Sequence, residues 1–152
     1  MTTSKQSTQI YTIERVTFET LKSEFEFCKS VAESVAKTFD GKFDWRNFNV
    51  VRYVDSQRVM MCRRNGVPVG VMLASRYVSV FDSKKVILRQ DLLWAKPGTR
   101  AAWYLLRDFV DFGKANADHL ITMIGDKTNI KRQTIEKLGF KKIEEIYRME
   151  NR

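Results

Sequence analysis

Two cysteines, two prolines, one histidine and no long apolar run leave little of this 152-residue chain for crosslinks, metal or membrane. So few cysteines exclude a disulfide scaffold. Cys28 and Cys62 read as buried free thiols of a reducing compartment, which favours a cytoplasmic setting. With the single His119 on yet another segment, they do not make a zinc set. No apolar stretch approaches the roughly 20 residues that span a bilayer, so no membrane partner is expected. Residues 1–8 are polar, lack the apolar stretch of a secretory signal, and read as a flexible arm before a single domain over 9–152. Few prolines, with 43% hydrophobic and 12% aromatic residues, exclude a disordered or collagen-like chain. A chain of this length buries roughly 68–70% of its unfolded surface, enough for a core without staples.

The residues present alternate between two periods. Ile10, Tyr11, Ile13 and Val16 give an opening strand over Gln9–Val16. Thr17 caps the next element, in which Phe18, Leu21, Phe25, Cys28, Val31 and Val35 recur at spacings of three and four and predict one amphipathic helix. Asp40-Gly41 ends it, and Asp44–Val54 reads as a shorter helix turning Trp45, Phe48 and Val51 inward. Three strands come next. Arg58–Arg64 leads into the hairpin turn Asn65-Gly66, then come Val67–Phe81 and Lys85–Ala95, stopped by Pro97-Gly98. A helix begins at Arg100, with Ala102, Leu105, Leu106, Phe109 and Val110 as its stripe. His119–Ile124 is strand-like, Thr128–Leu138 is a helix capped by Gly139, and Phe140–Met149 is a last strand. The order β-α-α-β-β-β-α-β-α-β predicts an α/β fold. Its sheet is mixed, antiparallel across the hairpins and parallel across the later crossover, with helices on both faces.

Lys and Arg total 27 against 18 acidic residues, a net charge of +9. Such a field draws nucleic acid, phosphate-rich cofactors or acidic proteins. The basic residues are scattered in pairs such as Arg63-Arg64 and Lys84-Lys85, without the motifs of a nucleic-acid module. A solvated basic surface and an acidic macromolecular partner both stay open.

The strand-to-helix junction Leu93-Trp94-Ala95-Lys96-Pro97-Gly98-Thr99-Arg100 is the informative stretch. A helix start offers unpaired N–H groups and the positive end of a dipole, where phosphates bind. Lys96 and Arg100 add charge there; an ordinary turn with solvated bases has the same composition. Asp91 is the single carboxylate between Val86 and Ala95, able to take a proton from an ammonium or to pair with Arg89 or Lys85. His119 has no nucleophile at a telling spacing and reads as a surface residue. Phe43, Trp45 and Phe48 are core residues or the lining of an acceptor pocket.

Leu93-Trp94-Ala95-Lys96-Pro97, followed later by Asn129 and Glu136-Lys137-Leu138-Gly139-Phe140, resembles the GNAT superfamily of acetyl-CoA-dependent N-acetyltransferases. Arg100-Ala101-Ala102-Trp103 is similar to the central helix of small GNAT-like proteins of tailed bacteriophages. The resemblance implies a GNAT-like fold and acetyl transfer from acetyl-CoA to an amine, on a small molecule or a protein. It implies a splay between the fourth and fifth strands, with pantetheine paired to backbone groups of Leu93, Trp94 and Ala95. Pyrophosphate would rest on the amides of Thr99, Arg100 and Ala101, Asn129 would lie near the pantetheine arm, and Asp91 would be the base.

Three departures stand beside this. The family's loop carries two spaced glycines that let backbone approach pyrophosphate; here only Gly98-Thr99 separates Pro97 from Arg100. The family's proton-donating Tyr falls near Ile135. Asp91 stands alone as base. The competing expectation is therefore an inactive GNAT-shaped protein that serves as an interaction or virion component.

Overall fold

A computed structural model describes residues 8–38, 54, 57–122 and 130–143. The expected helix over Asp44–Val54, residue Asn129 and most of the expected last strand lie outside the described residues. The elements are β1 (Tyr11–Arg15), α1 (Phe18–Ser23), α2 (Phe25–Thr38), β2 (Arg58–Arg64), β3 (Val67–Val78), β4 (Val86–Ala95), α3 (Ala101–Asn116), β5 (His119–Ile121) and α4 (Arg132–Lys137). The described strands form one sheet in the order β1-β2-β3-β4-β5. Every neighbouring pair is antiparallel except β4 and β5, which run parallel through the α3 crossover. The predicted mixed α/β architecture is thus the observed one.

Local chemistry explains most boundaries. Asn65 and Gly66 take the positive φ values of 51° and 82° that a tight hairpin turn requires. Thr17 accepts from the Thr20 amide, and Thr20 reciprocates onto the Thr17 amide. The single helix expected from Phe18 onward is broken at Glu24, whose backbone leaves helical values. The Glu24 carboxylate accepts from Arg63 Nη1 at 2.7 Å, while Arg63 Nε donates to Glu14 at 2.6 Å. The two carboxylates hold the Arg63 charge and raise its pKa above the usual guanidinium value. The α1–α2 break therefore sits where the helix is tied to the sheet. β3 ends three residues short of the expected Phe81, because Ser79 to Lys85 closes into a turn. Val80 and Phe81 stand exposed on that turn.

Each face of the sheet carries its own core. On one face, Met60, Cys62, Val69, Met72, Ala74 and Leu88 pack against Leu105, Leu106 and Phe109 of α3 and Ile135 of α4. On the other, Val16, Val59, Met61 and Val71 pack against Val31 of α2, with Phe27, Leu92 and Trp94 at the margin. Full burial of Leu105, Leu106 and Phe109 supplies about 1.5–3 kcal/mol each. The exposed pair Arg132–Glu136 supplies about 0.5 kcal/mol at most, so packing and not surface charge positions the helices. Arg58 adds a clamp on α3, pairing with Asp108 at 3.3 Å and lying 3.7 Å over the Phe112 ring.

The start of α3 lies against β3 at Gly70. A Cβ there would come within 2.9 Å of the Ala101 Cβ and 3.0 Å of Leu105 Cδ1. Gly70→Ala is therefore expected to cost about 1–3 kcal/mol of stability by overpacking. Urea denaturation measures it; an unchanged midpoint would mean that α3 is free to stand off from the sheet.

Candidate functional site

The site is built on β4. Its pairing with β3 runs from Val86 to Ala95, interrupted by a bulge: Leu73 faces Leu92, Ala74 faces Gln90, and Asp91 is the extra residue. The bulge reverses the alternation. Leu88 packs on the α3 face before it; Leu92 and Trp94 pack on the α2 face after it, with Leu93 and Ala95 toward α3. Pairing with β5 covers only Ile87, Leu88 and Arg89. Beyond Arg89 the described residues place no strand against this edge. The Thr122 hydroxyl, just past the end of β5, donates to Gln90 Oε1 at 2.9 Å. Gln90 is the buried polar residue of the described core, only 4% exposed.

Leu93, Trp94 and Ala95 thus occupy the far stretch of β4, one edge held by Met72, Val71 and Gly70 of β3. Trp94 meets Phe27 edge-on at 5.7 Å, fixing the end of the strand against α2. Lys96 then donates its amide to the Val69 carbonyl at 2.8 Å. Lys96-Pro97-Gly98-Thr99 forms a tight turn closed by the Thr99 amide on the Lys96 carbonyl at 3.2 Å. Proline second and a glycine third, at φ 78°, are the residues of a type II turn. The Thr99 hydroxyl also donates to the Lys96 carbonyl, at 2.6 Å. The chain enters α3 directly from this turn, so Thr99, Arg100 and Ala101 lie together at a helix N-terminus that has no side-chain cap.

The Arg100 amide is not left open. It donates to the Tyr11 hydroxyl at 3.1 Å, across 89 residues of sequence. The Tyr11 ring stacks on Tyr104 of α3, centroids 4.6 Å apart and planes 17° from parallel. Two of the three amides expected for pyrophosphate therefore have acceptors within the protein, Thr99 in the turn and Arg100 at Tyr11. Tyr11 is the residue that reading the sequence missed; its place in an opening strand carries no sign of a contact so far along the chain.

Asp91, on the bulge, accepts from Arg89 Nε at 2.7 Å, and its side chain is 14% exposed. The pairing with Arg89 that its spacing allowed is formed. Ile135, at the expected Tyr position, is buried in the α3-side core. His119 is exposed at the start of β5. Burial pushes the Cys62 thiol up to about 11 and raises Cys28 as well, which keeps both protonated and unsuited to nucleophilic attack. The described residues hold no cluster of metal-binding side chains. No described helix is long and apolar enough to cross a membrane. Phe43, Trp45 and Phe48 lie outside the described residues.

Tyr11→Phe keeps the ring and removes the acceptor of the Arg100 amide. It is expected to cost about 0.5–1.5 kcal/mol. Tyr11→Ala, which also loses the stack on Tyr104, should cost more. Thermal and urea denaturation of both variants checks the order; equal losses would mean that the stack on Tyr104 contributes nothing, and an unchanged Tyr11→Phe would mean that the hydroxyl contributes nothing.

No family model and no curated protein matches the chain. Solved structures do. A transcriptional regulator from Bacillus halodurans C-125 superposes with a TM-score of 0.72 at 12% identity, over 93% of this chain and 100% of the other. A ribosomal-protein-alanine N-acetyltransferase from Brucella melitensis gives 0.65 at 14% identity, over 93% and 99%. A GNAT family acetyltransferase from Staphylococcus aureus gives 0.65 at 9% identity, over 93% and 98%. At these identities the likeness is one of fold, and the fold of this chain is that of the GNAT acetyltransferases.

Proposed function

We propose that the protein is an N-acetyltransferase that moves acetyl from acetyl-CoA to an amine acceptor, on a small molecule or a protein. The observation that carries this is the edge of β4. Among the described residues it pairs with β5 at Ile87, Leu88 and Arg89, runs on through Leu93, Trp94 and Ala95, and feeds straight into a helix N-terminus flanked by Lys96 and Arg100. Backbone groups at the edge of a strand need partners. An extended pantetheine arm with amide groups fits that need, and the turn after β4 brings phosphates to the positive end of α3. The fit is direct along β4. At the phosphates it requires the Thr99 and Arg100 amides to exchange the Lys96 carbonyl and the Tyr11 hydroxyl for phosphate oxygens, or to share them.

Acetyl-CoA supplies a thioester whose carbonyl carbon an uncharged amine can attack: the C–N bond forms, the C–S bond breaks, and CoA leaves as a thiolate that takes up the proton shed by the amine nitrogen. The residues supply the rest. Leu93, Trp94 and Ala95 align the pantetheine arm through their backbone. Thr99, Arg100 and Ala101 receive the phosphates, with the Arg100 guanidinium as countercharge. Asn129, outside the described residues, is assigned to the arm by the resemblance alone. Asp91 accepts the proton an ammonium must lose before it can attack, directly or through a water.

The second reading is a GNAT-shaped binding protein without transfer activity, with an acidic macromolecule as its partner. The internal acceptors of the Thr99 and Arg100 amides and the apolar Ile135 favour it.

Calorimetric titration with acetyl-CoA at two salt concentrations separates the two. The transferase reading expects saturable binding at one per chain, weakened at least tenfold by Arg100→Glu. Asp91→Asn should lower turnover with an amine acceptor by about 10²-fold or more while leaving that binding in place. Absence of binding at millimolar acetyl-CoA would favour the second reading, and unchanged turnover in Asp91→Asn would remove Asp91 from the mechanism.

A further inference from the structure

Between α2 and the sheet lies a cavity of about 230 Å³, away from the turn at Lys96–Thr99. Its floor is Val31 and Ala32 of α2 against Val59 and Val71 of the sheet, all buried. Cys28, Leu73 and Leu92 also line it, each partly exposed. Every described residue along the wall is aliphatic except Cys28, whose thiol burial holds protonated and uncharged. Such a lining offers a ligand neither hydrogen bonds nor charge; it rewards apolar surface alone. An apolar cavity of roughly 150 Å³ stays dry and accepts benzene, so this one has room for a ligand of six carbons or slightly more.

The cavity also has an address. Leu92 is the first residue after the Asp91 bulge, and the bulge is what turns its side chain to the α2 face. The cavity wall and the backbone edge beyond Arg89 are therefore adjacent stretches of one strand. We infer that the cavity binds a short unbranched aliphatic chain, whose polar end leaves it at Leu92 beside the edge of β4. The chain arrives either as the acyl group of a CoA thioester or as the alkyl tail of an amine. The choice between these two sources rests on the acetyl-transfer reading; the aliphatic ligand itself does not.

The test is calorimetric titration of the full chain with free CoA, acetyl-CoA, hexanoyl-CoA and hexylamine, repeated on Ala32→Leu and Ala36→Leu. Both substitutions fill the cavity. Ala36 lies at its half-buried margin and can take the larger side chain if the buried Ala32 position cannot. Each buried methylene is worth about fourfold in affinity. Hexanoyl-CoA should therefore bind at least tenfold tighter than acetyl-CoA if the chain is an acyl group. If it is an amine tail, hexylamine should bind saturably at one per chain. Either gain should vanish in the filled variants. Equal affinity for the two thioesters with no hexylamine binding overturns the inference and leaves acetyl transfer standing. A gain that survives in the folded filled variants overturns it as well. Hexylamine binding without CoA binding supports the cavity and retires acetyl transfer.

Discussion

β4 carries obligations on three sides, and the site depends on how it meets them. It pairs with β3 from end to end, with β5 at Ile87, Leu88 and Arg89 among the described residues, and packs side chains into both cores. The Asp91 bulge makes this arrangement work. By inserting one residue it moves Leu92 and Trp94 onto the α2 face and brings Leu93 and Ala95 to the α3 face. A strand without the bulge would send Leu92 and Trp94 toward α3 and leave the α2 core short of both. The same residue places a carboxylate on β4 just beyond Arg89, which pairs with Ile121 of β5.

Energetically the frame is apolar. Leu105, Leu106 and Phe109 seat α3 on the sheet, and Gly70 lets its first turn come close. Close seating brings the Arg100 amide to the Tyr11 hydroxyl and the Tyr104 ring onto Tyr11. The helix start thus gains its cap from the first strand of the sheet instead of from a neighbouring Ser, Thr or Asp. Any anion that binds there competes with a hydrogen bond of ordinary strength, a cost of about 1 kcal/mol that a charged phosphate exceeds. The basic net charge contributes attraction at range and does little for the fold.

Much of this was legible in the sequence because it is local. Asn65-Gly66, Pro97-Gly98 and Gly139 each demand a backbone conformation that few other residues accept, and each marks the turn or helix end expected. The two-residue and 3.6-residue periods separated strands from helices, and the order of elements led to the mixed sheet. The features that stayed hidden are non-local. The break at Glu24 comes from Arg63, 39 residues on, while the spacing of Phe18, Leu21, Phe25 and Cys28 is continuous through it. The bulge at Asp91 leaves no mark in a run as apolar as Leu92-Leu93-Trp94, because both faces of β4 are covered after it. The Tyr11–Arg100 contact joins opposite ends of the fold.

The central claim is that Leu93, Trp94 and Ala95 of β4 and the start of α3 form one continuous surface for CoA. Amide hydrogen exchange, residue by residue, with and without CoA, tests it most directly. The account predicts added protection at Leu93, Trp94 and Ala95 together with Thr99, Arg100 and Ala101, and little change along β2. Unchanged exchange at these six amides under saturating CoA, or protection confined to another part of the molecule, would contradict it.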